Sequence, residues 1–215
     1  MVIYLNHPSW WDPMICLLLA RRFWPTRKHY APIDAAQLKR YPLFERLGFF
    51  GVEPKGVRGG AVFLRTANEL LKQHDTLLWI TAQGHFTDAR VRPIHLRPGL
   101  SHLLRRVKSV AVVPLSLEYA FWDESYPEVL AAFGPAMNES VTSAMTTTEW
   151  TARLEEQLTE TSDALATAAI TRDANLFELL HRGAAGTGVF YDAWRRMKSF
   201  FTRQQYQREH GPVVR

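Results

Sequence analysis

The fold of this protein is decided by the stretch Val2-Ile3-Tyr4-Leu5-Asn6-His7-Pro8-Ser9-Trp10-Trp11-Asp12-Pro13. Its first four residues are apolar and rich in β-branched and aromatic types, which favours a buried strand. Asp12 followed by Pro13 is typical of a helix start, and the apolar segment 14–19 continues that helix. The stretch therefore predicts a strand-to-helix turn, where backbone amides are free to face a ligand.

The rest of the chain continues this alternation of strands and helices. Strands are predicted near 2–6, 30–33, 49–53, 77–82 and 110–118, and helices near 13–24, 35–47, 59–74, 98–108, 147–170, 173–182 and 189–207. Such a pattern favours an α/β fold, a single layered domain with a mixed, largely parallel sheet flanked by helices. A predicted loop from Gly134 to Thr148 separates a catalytic core over 1–135 from a C-terminal helical extension over 136–215.

His7 and Asp12 are the residues of the turn that carry chemistry. An imidazole titrates near neutrality and takes a proton from a hydroxyl, while a carboxylate on its other nitrogen fixes the tautomer. We predict His7 as a general base and Asp12 as its orienting group, a pairing suited to acyl transfer to an alcohol. The alternatives are a partly buried histidine satisfied by backbone and a helix-capping aspartate. His29 and Asp34 have the same spacing without that frame, and we interpret them as a decoy.

Further substrate contacts are predicted around the same sheet edge. Gln83, Gly84 and His85 follow the strand near 77–82 and should open beside His7 if the sheet is parallel. The Gln83 amide can hydrogen-bond a hydroxylated group, and His85 is either a second acid/base or a surface loop residue.

Four more residues are predicted to bind substrate. Asn6 and Ser9 flank His7, and amides around Ser9 are candidate donors to an oxyanion. Lys55 and Arg58 lie in a glycine-containing loop before a helix, which either cradles a phosphate or is an ordinary solvated turn.

Composition fits one modest enzyme domain with a tail: 215 residues, of which 47% are hydrophobic and 22% charged. The lone Cys16 excludes an internal disulfide, is expected to be a buried small hydrophobe, and favours a reducing compartment. The eight histidines lack metal-ligand spacing, so no metal and no bound cofactor is predicted. No stretch reaches the roughly 18 to 20 apolar residues of a membrane span.

Net charge is concentrated at the C-terminal end. Residues 181–215 contain seven basic and two acidic residues, which equals the +5 of the whole chain. Within this segment aromatic residues recur at helical spacing from Phe190 to Phe201, with arginines mostly on the other side. Such a basic amphipathic helix either packs on the core or lies in an anionic membrane interface. Nucleic-acid binding is not favoured, because no basic groove with stacking aromatics occurs elsewhere.

Asn6-His7-x4-Asp12 resembles the first signature block of the glycerophospholipid acyltransferase superfamily, which includes lysophosphatidic acid acyltransferases. Three later segments follow in the family's order: Tyr41-Pro42-Leu43-Phe44 with Leu47-Gly48-Phe49-Phe50-Gly51-Val52, then Trp79-Ile80-Thr81-Ala82-Gln83-Gly84, then Val110-Ala111-Val112-Val113-Pro114-Leu115. The resemblance covers about Val2 to Phe121. It implies an enzyme of lipid metabolism that uses an acyl-CoA or acyl-ACP co-substrate, without a cofactor.

The chain departs from the family pattern where the acceptor is recognised. Glu53-Pro54 stands where the family usually ends its second block with arginine, and Gln83-Gly84-His85-Phe86 replaces Glu-Gly followed by Thr-Arg. Family members also place a helical segment before the first block, so the chain is expected to be truncated or to start unusually.

The resemblance and its departures together predict a lipid or glycolipid O-acyltransferase that is peripheral on the cytoplasmic face of the membrane. The alternatives are a conventional lysophosphatidic acid or glycerol-3-phosphate acyltransferase of phospholipid biosynthesis, and a non-catalytic membrane-binding relative.

Overall fold

The computed structural model of the protein describes residues 1–54, 56–107, 110–122, 126–138 and 145–182. Its strands are β1 (Val2–Leu5), β2 (Lys28–Asp34), β3 (Phe49–Val52), β4 (Thr76–Thr81), β5 (Ala111–Ala120), β6 (Glu128–Phe133) and β7 (Met137–Asn138). Its helices are α1 (Asp12–Phe23), α2 (Ala35–Arg40), α3 (Leu43–Arg46), α4 (Val57–Leu71), α5 (Gly99–Leu104) and α6 (Thr147–Thr171), followed by a 3₁₀ turn at Ala174–Leu176.

The strands form one mixed sheet in the order β3-β2-β4-β1-β5-β6, with β7 paired to β5. The pairs of β1 with β4 and β5, and of β2 with β3 and β4, are all parallel, whereas β7 is antiparallel. The predicted α/β fold with a largely parallel sheet is therefore confirmed. Because β1 and β4 are parallel neighbours, the residues that follow them emerge at the same edge of the sheet.

The central strand β1 is buried on both faces, as expected of a parallel strand between helical layers. Val2 and Tyr4 join an apolar cluster built with α4, α5 and α6, and the Tyr4 hydroxyl donates to the carbonyl of Leu154 at 3.1 Å. On the other face of the sheet, the Trp79 ring contacts Trp24 at the end of α1 at 6.1 Å between centroids. The turn after β1 therefore follows a strand that is packed on both faces of the sheet.

Two predicted helices differ from the structure. The helix predicted over 35–47 is divided into α2 and α3, because Pro42 disfavours a helical conformation at Tyr41, which adopts φ −126°. The helix predicted over 173–182 is reduced to the turn Ala174–Leu176, where exposed leucines have no core to pack against. Strands β6 and β7 were not predicted, whereas the predicted helix over 189–207 lies outside the described residues.

The chain divides into two compact units. The first consists of Met1–Leu117 and Ala131–Leu165 and contains the buried apolar cluster. The second consists of Glu118–Leu130 and the segment that starts at Ala166; within it, the rings of Trp122 and Phe177 lie 5.9 Å apart. The predicted division into a catalytic core over 1–135 and a helical extension over 136–215 stays a prediction. Across the described ranges, no helix combines the length and apolarity that a membrane crossing requires.

Candidate active site

The turn between β1 and α1 brings His7 and Asp12 into direct contact. The Nδ1 atom of His7 lies 2.6 Å from Oδ2 of Asp12, and the backbone N–H of Ser9 donates to the same oxygen at 3.2 Å. Asp12 is the first residue of α1, and its carboxylate is fully buried, whereas the His7 side chain retains 16% exposure. The predicted pair is therefore formed, with the carboxylate inside and the imidazole at the surface of a cleft.

This contact assigns the tautomer of His7. A carboxylate accepts hydrogen bonds, so Nδ1 carries the proton that is donated to Asp12. Nε2 is then left with its lone pair, which is the arrangement a general base requires. In that state the buried carboxylate also stabilises the imidazolium that forms when Nε2 takes up a proton.

Neighbouring segments hold the His7 backbone and ring. The His7 N–H donates to Oε1 of Gln83 at 3.0 Å, and the His7 carbonyl accepts from the N–H of Thr87 at 3.0 Å. The ring of Phe86 lies 4.4 Å from the imidazole, between centroids. The loop after β4 thus fixes the base from the neighbouring strand, at the shared sheet edge that the sequence predicts.

His7 lines a cavity of about 860 Å³, which we call the His7 cavity. Most of its wall is apolar, and aromatic side chains are frequent. They are Trp10, Tyr30, Tyr41, Phe44, Phe49, Phe63, Trp79 and Phe86. Trp10 and Phe86 are more than half exposed, so they stand at its rim. A large apolar cavity with a few polar groups is the usual form of a site for an apolar ligand.

Two residues predicted to bind substrate make hydrogen bonds to the framework, and their predicted role in substrate binding stays a prediction. Asn6 is 3% exposed; its Nδ2 donates to the carbonyl of Leu117 and its Oδ1 accepts from the Leu117 N–H, both at 2.9 Å. Gln83 is 5% exposed and holds the His7 backbone. Neither residue lines the His7 cavity. The Asn6 amide is engaged at both ends by Leu117, and the Gln83 amide is engaged through its oxygen by the His7 N–H.

The hydroxyl of Ser9 accepts from the Trp11 N–H at 3.2 Å, so Ser9 shapes the turn with both its side chain and its amide. The amides of Ser9 and Trp11 are therefore occupied. Within residues 9–12, the backbone N–H of Trp10 has no hydrogen-bond partner among the described residues. Trp10 also lines the His7 cavity. Among the amides of residues 9–11, the Trp10 N–H is thus the one that the described structure leaves available to a ligand.

Gly84 and His85 line the His7 cavity, as predicted. Gly84 adopts φ +69°, and a Cβ there would lie 2.5 Å from Nε of Arg97. Nδ1 of His85 donates a hydrogen bond to the Gln83 carbonyl at 3.0 Å, because a carbonyl oxygen can only accept. In the neutral imidazole, Nε2 then carries the lone pair. Its two predicted roles, as a second acid/base and as a surface loop residue, stay predictions.

The cationic residues of the cavity differ from those predicted. Arg58 is exposed in the first turn of α4 and does not line the His7 cavity, and Lys55 lies outside the described residues. Arg97 and Arg40 line it instead. Arg97 donates from Nη1 to the Pro54 carbonyl at 2.8 Å. The sequence analysis did not predict Arg97. Its position directly before Pro98-Gly99, where a helix is predicted to start, is a signal that could have placed a cation near this sheet edge.

His29 and Asp34 also line the His7 cavity, but they have separate partners and do not form a second imidazole–carboxylate pair. The imidazole of His29 lies between the indole N–H of Trp79, 3.2 Å from Nδ1, and the Trp24 carbonyl, 2.9 Å from Nε2. Asp34 caps α2 by accepting from the Ala36 N–H at 2.8 Å. His29 and Asp34 lie near opposite ends of the extended strand β2 (Lys28–Asp34), which keeps their side chains apart.

Cys16 is buried as predicted, and burial raises the pKa of its thiol. Among the described residues, no group of three or more histidine, cysteine or acidic side chains is arranged to hold a metal ion. Comparison of the sequence with protein-family models and with curated proteins gives no match.

Proposed function

We propose that the protein is a lipid O-acyltransferase, which moves a fatty acyl group from an acyl thioester to a hydroxyl of a lipid or glycolipid acceptor. The donor is acyl-CoA or acyl-ACP. One observation carries the proposal: a histidine with its Nδ1 held at 2.6 Å by a buried carboxylate lies on the wall of a large, mostly apolar cavity. A base beside an apolar cavity suits chemistry on a hydroxyl next to a fatty chain.

The reaction is a single displacement at the thioester carbonyl. Nε2 of His7 takes the proton of the acceptor hydroxyl while that oxygen attacks the carbonyl carbon, and Asp12 stabilises the imidazolium. The tetrahedral intermediate then collapses, the carbon–sulfur bond breaks, and the thiolate takes the proton from His7. Neither a covalent enzyme intermediate nor a redox step is needed.

The Trp10 N–H is the proposed donor to the intermediate's oxyanion. It belongs to the same short turn as the base, so the distance between base and donor is fixed by the chain itself. The apolar part of the cavity, which includes Met14, Leu17 and Phe49, supports binding of the acyl chain.

A conventional phosphorylated acceptor is the second candidate, and Arg97 is the observation that favours it. A guanidinium in the His7 cavity can pair with a phosphate, although the arginines expected from the resemblance are absent. A non-catalytic relative is less well supported, because a binding protein has no need of an oriented base. The first two candidates differ in the charge of the acceptor, which an assay separates.

The acceptor screen uses labelled acyl-CoA with glycerol 3-phosphate, lysophosphatidic acid, other lysophospholipids and glycolipids. We expect glycerol 3-phosphate and lysophosphatidic acid to be the poorer acceptors, because the two arginines that the resemblance implies for the glycerol-phosphate end are absent, with Glu53-Pro54 and His85-Phe86 in their place. Product formation by thin-layer chromatography is the measurement. Lysophosphatidic acid as the best acceptor would support the conventional enzyme. If neither acyl-CoA nor acyl-ACP gives transfer to any acceptor, the result counts against acyltransferase function itself.

We further propose peripheral attachment to the cytoplasmic face of a membrane through the basic segment 181–215. Replacing Arg195, Arg196, Lys198 and Arg203 with glutamine is expected to weaken sedimentation with anionic liposomes at low salt. Each basic residue near an anionic surface contributes about 1 kcal/mol, and salt screens that term. High salt should therefore reproduce the loss in the parent protein. Equal binding by parent and variant at low salt would place membrane contact elsewhere.

A further inference from the structure

A second concave surface adjoins the His7 cavity. This groove, which we call the α4–α5 groove, has a volume of about 870 Å³. Its lining residues are Gly56, Val57, Gly60, Ala61, Leu64, Arg65, Asn68, Glu69, Pro98, His102 and Arg106. Gly56, Gly60 and Pro98 line both the groove and the His7 cavity, so the two spaces meet at these residues.

The charges of the groove are mostly positive. Arg65 projects from α4 and Arg106 follows α5, and among the described residues neither forms an ion pair or a side-chain hydrogen bond. The single acidic residue, Glu69, is engaged by Lys72, whose Nζ lies 2.7 Å from its carboxylate. The rest of the wall is largely apolar. The groove therefore offers two uncompensated guanidinium groups beside an apolar surface.

We infer that the α4–α5 groove binds the phosphorylated nucleotide end of a coenzyme A thioester. That end carries several phosphate charges on an adenosine, and guanidinium groups bind phosphate through charge-assisted, bidentate hydrogen bonds. The uncharged pantetheine arm passes over Gly60 into the His7 cavity, where its thioester meets His7. The inference rests on the proposed function for the reaction at His7, and it assigns the carrier as coenzyme A.

Gly60 explains how the arm passes between the two spaces. A Cβ built at Gly60 meets no atom within 4 Å, so the helix surface is open at the junction. A larger side chain there would occupy the passage without displacing the backbone. Helical glycine also lowers helix stability relative to alanine, so replacing Gly60 carries no folding penalty.

The first test is calorimetric titration of the full-length protein with coenzyme A. The double variant Arg65→Gln/Arg106→Gln is expected to raise the dissociation constant about 10- to 100-fold, because two charge-assisted contacts are lost. The control Arg90→Gln/Arg153→Gln removes the same charge from exposed arginines that pair with Asp88 and Glu156, and it should leave the affinity unchanged. Pantetheine, which lacks the nucleotide, should bind all forms alike.

The second test is kinetic. Gly60→Leu should raise the KM for acyl-CoA at least tenfold, whereas Gly60→Ala, which adds a single methyl group, should raise it much less. The KM for an acyl-N-acetylcysteamine donor, which lacks most of the arm, should differ less between the two variants. Unchanged coenzyme A affinity in the arginine double variant, or a parent that binds no coenzyme A and reacts only with acyl-ACP, would overturn the groove assignment. Groove-dependent binding of coenzyme A without any acyl transfer would support the groove and contradict the proposed function, so the two failures are distinguishable.

Discussion

Replacement of His7 with alanine is expected to lower kcat for acyl transfer by about 10³-fold. General-base catalysis contributes roughly 10²- to 10⁴-fold to a rate. Among the described residues of the site, His7 is the histidine whose ring contacts a carboxylate, that of Asp12. The measurement is single-turnover transfer from labelled acyl-CoA to the acceptor that the screen selects. Turnover like that of the parent would show that another group takes the proton, and His85 is then the next candidate.

Asp12→Asn provides the graded comparison. The imidazole remains in the cavity in this variant, but it loses the carboxylate that holds its tautomer and stabilises its charged form. We therefore expect a smaller loss than for His7→Ala. An equal or larger loss would assign the main contribution to the carboxylate rather than to the base.

The stability of the His7 variant has to be measured alongside its activity. If only the exposure of His7 to the cleft mattered, its removal would hardly change the unfolding temperature. The full burial of Asp12 changes this expectation, because His7→Ala deprives a buried carboxylate of a partner. Losses of this kind are about 1–3 kcal/mol. Denaturant unfolding of the variant therefore separates a folding defect from a catalytic one.

The strand-to-helix turn could be predicted because its signals are local. Four apolar residues, a helix-starting Asp-Pro pair and a histidine between them determine where β1 ends and α1 begins. The shared edge of β1 and β4 followed from the parallel sheet, and the bond from the His7 N–H to Gln83 is its direct consequence. Local patterning and the expectation of a parallel sheet were thus enough to predict that His7 and Gln83 lie at one edge.

The roles of individual polar side chains could not be predicted in the same way. Gln83 was interpreted as a substrate contact because of where it follows its strand, yet its carbonyl oxygen points to a backbone N–H. Arg97 was overlooked, since its position beside Gly84 depends on the loop between β4 and α5. Spacing along the chain identifies which residues reach an edge, but the direction of each side chain depends on tertiary packing.

Asn6 illustrates the same distinction, and its replacement tests it. The register of β1 with β5 ends with the pairing of Leu5 and Leu115, and the Asn6 amide then bonds both backbone groups of Leu117. The side chain therefore extends the ladder by imitating a strand backbone. Its predicted role in substrate binding and this framework role lead to different outcomes.

Asn6→Ala is expected to lower the free energy of unfolding by about 2–6 kcal/mol. Two buried backbone groups of Leu117 lose their partners, and each unsatisfied group costs about 1–3 kcal/mol. Urea denaturation followed by circular dichroism measures the loss, with Ser9→Ala as a control, because the Ser9 hydroxyl accepts a single exposed bond. A stable Asn6→Ala protein with a raised KM for the acceptor would instead assign Asn6 to substrate binding. The framework role requires the opposite result, a destabilised protein whose remaining folded fraction keeps the parent KM.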